Sequence, residues 1–238
     1  MEENGEIFKS NPDKKLVIEY NGERYLRIPV KTHIITDADK ITDVVHKYAS
    51  PIAKEGDVIF ISEKIVACTQ KRAIKLTDIK PRKLATFLSR YVVKTNYGIG
   101  LAMPETMEMA IRECGTVRIL FAAAVSAVTK LFGLKGWFYR VAGERARAID
   151  GPCEFTIPPY NEYVVLGPLK PAKVAKEISE RMGGIPVCIV DANDIGCNAL
   201  GCSHPKQYPK DFFTNVLRDN PLGQDNEQTP IGIIRKAK

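Results

Sequence analysis

No run in this chain is apolar for long enough to cross a bilayer. The longest uncharged stretch, Ile119 to Thr129, is about half of what a spanning helix needs. Residues 1–15 are polar and charged, so no secretory leader is expected. A Walker A loop, a dinucleotide G-x-G-x-x-G, a nucleophile elbow and an H-E-x-x-H pair are all missing, which excludes the chemistries those motifs carry. No basic run is interleaved with aromatics, so nucleic acid is not an expected partner, and neither is a membrane. A C-x2-C pair is missing too. Cys197-x4-Cys202 followed by His204, with Cys188 as a fourth ligand, resembles part of a zinc site, but small residues in turns give the same spacing.

What is present is ordinary in bulk and basic in balance. With 45% hydrophobic and 26% charged residues, the 238-residue chain reads as a globular protein. Residues 1–14 read as a flexible arm and 15–238 as one folded unit or two intimately packed lobes. The net charge of +7 favours an anionic partner such as a nucleotide or a phosphorylated substrate. The six cysteines, scattered through apolar or Gly-rich contexts, read as reduced thiols of a cytoplasmic protein.

Asn21-Gly22 between two β-rich stretches signals a hairpin over Leu16 to Val30. Ile41, Val44, Val45 and Tyr48 share a helix face. Val58 to Ser62 reads as a strand that continues through Glu63-Lys64 into Ile65-Val66-Ala67. Pro81 opens a helix with Leu84, Leu88, Tyr91 and Val92 inward, and Pro104 opens another that Gly115 ends. Ile119 to Phe132, rich in alanine, reads as a buried central helix or a subunit contact. Phe138 to Ala142, Ala146 to Ile149 and Tyr163 to Leu166 read as strands, Ala172 to Met182 as an amphipathic helix, and Ile231 to Ile234 as a last strand. Strands and helices mix without strict alternation, which argues for an α+β fold.

Two carboxylates stand where apolar strands stop. Ile185 to Val190 runs into Asp191-Ala192-Asn193-Asp194, and Ala146 to Ile149 runs into Asp150. Such a carboxylate can meet a metal or a phosphate in a crevice, or Asp and Asn can simply cap a turn. If Asp150 and Asp191 converge, a hard cation such as Mg²⁺ or Mn²⁺ relieves their repulsion. Glu63-Lys64 reads either as cross-strand pairing or as groups offered to a phosphate, and His33 as a ligand contact or a packed ring.

Several segments, in order, resemble the coenzyme F(420)-0:L-glutamate (γ-glutamyl) ligase family. They are Thr32-His33-Ile34-Ile35, Lys54 to Val66, Ala148-Ile149-Asp150, Val187 to Asp191, and Gly223-Gln224 running to Thr229-Pro230. The resemblance implies a homodimer of α+β fold. It implies a GTP- (or ATP-) dependent enzyme that uses Mg²⁺ or Mn²⁺ to join glutamate, or a similar amino acid, to a small acidic acceptor through an acyl phosphate. It places Asp150, Asp191 and Gln224 on metal ligands. Nucleotide contacts fall on Thr32, His33, Ile34, Ile35, Glu63, Lys64 and the loop Gly223, Gln224, Asp225, Asn226, Glu227, Gln228, with Lys64 and Asp191 as catalytic groups.

The chain departs from the ligase pattern at Ala192, usually Thr, and at Cys68, usually a nucleotide-contacting lysine. Cys153 replaces an asparagine, and Ile195-Gly196-Cys197 replaces basic residues. The alternative reading is therefore a non-catalytic nucleotide- and metal-binding homologue.

Overall fold

Asn21 and Gly22 take left-handed φ angles of 51° and 75°, and the strands on either side fold back on each other as an N-G turn dictates. A computed structural model describes every residue except 1, 4–5, 93–99, 135, 155, 194–195, 224–225 and 238. Along the chain the elements are β1 (Glu2–Glu3), β2 (Glu6–Ile7), β3 (Val17–Tyr20), β4 (Glu23–Val30), α1 (Ile41–Ala49), β5 (Val58–Ser62), α2 (Glu63–Thr69), β6 (Ala73–Lys75) and α3 (Lys83–Ser89). They continue with α4 (Pro104–Cys114), α5 (Thr116–Leu131), α6 (Trp137–Ala142), α7 (Glu144–Arg147), β7 (Tyr163–Val165), α8 (Pro171–Arg181), β8 (Val187–Asn193), β9 (Gly196–Cys202), α9 (Lys210–Val216) and β10 (Ile231–Lys236). The fold is α+β. It divides into a first unit, Met1–Gln70 with Pro168–Lys238, and a second, Lys71–Gly167.

The first unit is a six-stranded sheet in the order β3-β4-β10-β5-β8-β9, antiparallel throughout except for the parallel pair β5–β8. Side chains alternate between its faces. Leu26, Ile28, Ile59, Ile61, Val187, Ile189, Ile231 and Ile233 form one core with Val44 and Val45 of α1 and Val174 and Ile178 of α8. Val58, Phe60, Val190, Ala199 and Ile234 form the other with Phe212, Phe213 and Val216 of α9. Arg27, fully buried, is held there by the carbonyl of Val216 at 3.0 Å and by both carboxylate oxygens of Asp219. Burial pushes the Asp219 carboxyl up, but the hydrogen bonds and charge of Arg27 outweigh it and hold the group below the usual carboxylate range.

The second unit gathers Leu101, Met107, Ile111, Ile119, Ile149 and Val164 into its own core beside the small sheet β6–β7. Glu108, 2% exposed, ties α3 to α4 by accepting from Arg82 Nε at 3.0 Å and Arg112 Nε at 2.9 Å. No single helix among the described residues is long and apolar enough to cross a membrane, and α4 and α5 pass that test only as a pair bent by 117°.

Six expectations need correction. The strand over Val58–Ser62 does not continue: Glu63 to Thr69 is helix α2, with Glu63, Val66 and Ala67 buried at helical spacing. Phe138–Ala142 and Ala146–Ile149 are not strands, since α6 and α7 occupy Trp137–Ala142 and Glu144–Arg147 on either side of Gly143 at φ 92°. Short apolar runs carry too little periodicity to separate strand from buried helix. Tyr91, expected inward, is exposed, and α5 buries only Ile119 and Ala122, so it is not a buried central helix. Finally, the thiols are not all reduced: Cys188 and Cys202, register partners on β8 and β9, are joined as a disulfide.

Strand β9 and helix α9 carried no expectation. A Cβ on Gly201 of β9 would lie 2.2 Å from the backbone nitrogen of Ala172, so the glycine exists to let the start of α8 cross the sheet. Within the arm, Asn11 is buried and donates to Pro221 O at 2.9 Å and Thr229 Oγ1 at 2.8 Å.

Asp219→Ala leaves Arg27 buried without its counter-ion and is expected to lower unfolding free energy by about 3 kcal/mol in urea titrations at pH 7. Because the folded Asp219 carboxyl titrates below its unfolded value, its contribution is present above the unfolded value near pH 4 and is lost as pH falls through the folded one. The gap between wild type and variant should therefore narrow on acidification. A gap independent of pH would show that the ion pair is not its source.

Candidate functional site

Strand β10 runs antiparallel between β4 and β5, with Ile231 opposite both Val30 and Ile61. The carboxyl ends of β4 and β5 and the amino end of β10 therefore share one edge of the sheet. Strand β8 is parallel to β5 with Val190 opposite Ser62, so Asp191 emerges at that edge too. Two backbone bonds close the arrangement: Thr32 N–H donates to Gln228 O at 2.9 Å, and Ser62 N–H to Pro230 O at 2.9 Å. In open sheets with parallel strands, ligands sit outside the carboxyl ends of those strands.

The segment Thr32–Ile35 leaves β4 under tight control. Thr32 is buried and its hydroxyl donates to His33 O at 2.8 Å, while Ile35 is buried in the core and Ile34 stays exposed. The His33 ring is held at both nitrogens, Nδ1 2.8 Å from Tyr48 Oη and Nε2 3.0 Å from Asp39 Oδ1. The N–H of Thr36 holds the Asp39 carboxyl below its usual range against the cost of burial, with His33 and the Thr36 hydroxyl adding to it. His33 is thus a positioned ring at the rim.

Glu63 and Lys64 open α2 immediately after β5. Glu63 is buried and Lys64 exposed in the first turn of α2, where the chain is helix and not the continuing strand that cross-strand pairing needs. Asp191 is half-buried on β8 opposite Asn198. The Cys197 thiol near it is pushed up to about 12 by burial first and the Asp191 charge second. Asn193 does what the plain turn reading expects: its Oδ1 accepts from Gly196 N–H at 3.2 Å.

The loop before β10 is pinned from within. Thr229 Oγ1 donates to Leu222 O at 2.7 Å and accepts from Asn11, and Asn220 Nδ2 donates to Gly223 O at 2.9 Å. Gly223 has φ 75°, and a Cβ there would lie 2.9 Å from the Glu227 carboxyl carbon, so Glu227 folds over it. Asn226 is exposed, while Gln228, at φ 55°, turns its carbonyl to Thr32. Gln224, Asp225 and Asp194 lie outside the described residues.

One edge of the first unit therefore holds Thr32 to Ile35, Glu63, Lys64, Asp191, and the loop with Gly223, Asn226, Glu227 and Gln228. Residues 29–195 match the model of the F420-0:gamma-glutamyl ligase family. The chain belongs to that family. No curated protein matches it in sequence at a significant level.

The ligase-family match takes in Thr32–Ile35, Glu63-Lys64, Asp150 and Asp191 and stops before the loop that opens at Gly223. Asp150 belongs to the second unit, where it follows the short helix α7 and exchanges backbone bonds of 2.9 Å with Val165. Among the described residues no group of three or more His, Cys, Asp or Glu could hold a metal ion. The zinc reading fails on its own ligands, since Cys188 and Cys202 are bonded to each other.

Asn11 was missed by sequence reasoning, because nothing local marks a polar residue in an arm as the anchor of a distant loop. Asn11→Ala should cost about 1–2 kcal/mol in urea unfolding, the usual result of stripping a buried hydrogen-bonded partner. It should also make residues 219–230 the first site of limited proteolysis. Unaltered cleavage there would mean that the loop holds without Asn11.

Proposed function

We propose that this chain is a metal- and nucleotide-dependent ligase joining glutamate, or a similar amino acid, to a carboxylate of a small acidic acceptor. The observation that carries this is the convergence, at one sheet edge of an F420-0:gamma-glutamyl ligase family member, of Thr32–Ile35, Glu63-Lys64, Asp191 and the pinned loop before β10. In the proposed chemistry the acceptor carboxylate takes the terminal phosphoryl group of GTP (or ATP), giving an acyl phosphate and a nucleoside diphosphate. The glutamate amine, having lost a proton, then attacks the acyl carbon, and phosphate leaves as the amide forms.

The donor chemistry at the edge fits a hard divalent ion. Among its carboxylates Asp191 is half-buried, whereas the nearby Cys188 and Cys202 are bonded together. We assign Asp191 to Mg²⁺ or Mn²⁺, which when bound neutralises charge on the nucleotide phosphates. Lys64, exposed in the first turn of α2, is assigned as a further counter-charge to phosphate. Thr32 to Ile35 and the loop from Gly223 to Gln228 frame the nucleotide.

Ala192 supports the second reading, a homologue that binds nucleotide without turnover. Its methyl packs against the core that contains Phe212 and Phe213 and offers no oxygen beside Asp191.

Diphosphate release separates the two readings. The ligase requires release that depends on divalent metal, glutamate and an acidic acceptor together; metal-dependent binding without release under any of those conditions supports the second. Asp191→Asn should keep the fold and reduce metal-dependent thermal stabilisation by GTP at least tenfold in apparent affinity. Undiminished stabilisation would remove Asp191 from the metal. Asp150, the aspartate that the resemblance assigns in the second unit, is tested in the same way by Asp150→Asn.

A further inference from the structure

Helix α5 (Thr116–Leu131) anchors itself to the second unit through Ile119 and Ala122 and leaves its opposite face bare. Val117, Leu120, Phe121, Val128 and Leu131 are all exposed, at 82%, 44%, 62%, 55% and 84%, and lie on one stripe at helical spacing with exposed Ala124 at its centre. Side chains of this size left so bare present on the order of 500–600 Å² of apolar surface. That is the upper end for the largest patch on an ordinary monomer and most of one partner's share of a standard interface.

The stripe is symmetric about Ala124. Val117 and Leu131 stand equally far before and after it, as do Leu120 and Val128, and as do Phe121 and exposed Ala127. Two antiparallel copies related by a two-fold axis at Ala124 would set Val117 against the other copy's Leu131 and Leu120 against Val128. They would also set the large Phe121 against the small Ala127, a self-complementary fit of the kind an isologous interface requires. The small centre lets the two backbones approach.

The charges agree. Arg118 and Lys130 also sit symmetrically about Ala124, but on the flanks. Arg118 Nε donates to Val141 O at 3.0 Å and Lys130 Nζ to Tyr91 O at 3.1 Å, so both cations are engaged by their own unit. A surface built for an anionic membrane would instead hold its cations free toward the lipid. We propose that α5 is a homodimer interface, packing antiparallel against α5 of a second copy with Ala124 at the two-fold. This goes beyond the homodimer that the family resemblance implies by naming the face, and it does not rest on the proposed reaction.

The full chain should sediment at twice the 26.5 kDa protomer mass. Phe121→Glu, a change at an exposed position, should sediment as a monomer with an unaltered circular dichroism spectrum. A short bismaleimide should link Ala124→Cys to itself well above the wild-type background. It should not link Leu131→Cys, whose two copies would lie about 21 Å apart along antiparallel helices. A monomeric wild type, a Phe121→Glu variant that stays dimeric, or equal linking at position 131 would overturn the proposal. So would a monomer that floats with phosphatidylglycerol vesicles through this stripe.

Discussion

The placement of β10 between β4 and β5 is the constraint from which the rest follows. Because it runs opposite to both neighbours, it brings the end of each to the edge where its own loop arrives. The parallel pairing of β5 with β8 then delivers Asp191 to the same edge. Had β8 run antiparallel to β5, Asp191 would sit at the far end of the sheet and no loop adjustment could recover it. Sheet register, set by alternating apolar residues on two buried faces, is thus what collects the candidate groups.

The buried polar groups of the first unit hold that edge in shape. Arg27, on the face opposite Leu26 and Ile28, grips Asp219 where the loop begins. Asn11 and Thr229 grip the loop further on, and the Thr32–Gln228 and Ser62–Pro230 backbone bonds seal it to the ends of β4 and β5. A charge or amide buried without such partners would cost several kcal/mol, so these contacts are costly to break singly. The result is an edge whose described backbone is held from several sides by the protein's own groups.

What could be read from residues alone followed the strength of each local signal. The Asn21-Gly22 hairpin, the Pro104–Gly115 limits of α4 and the Val174-Ile178-Met182 face of α8 each rest on one short-range rule and stand in the structure. Glu63–Ala67, Phe138–Ala142 and Ala146–Ile149 did not, because a few apolar residues fit either period and the tertiary partner decides. Strand β9 escaped because Gly196, Asn198 and Gly201 argue against a strand, while Gly201 is required by the backbone of α8 lying over it. At the site, Thr32–Ile35, Glu63-Lys64 and Asp191 were marked by resemblance, but their shared edge was legible only once strand order was known.

The central claim is that this edge of the first unit receives a metal-bound nucleotide. Hydrogen exchange of the full chain with and without GTP and Mn²⁺ tests it most directly, since it reports each segment separately. The account predicts slowed exchange in residues 31–36, 62–66, 190–193 and 226–230 together, and only when both ligands are present. Protection confined to other segments, with these four unchanged, would contradict it.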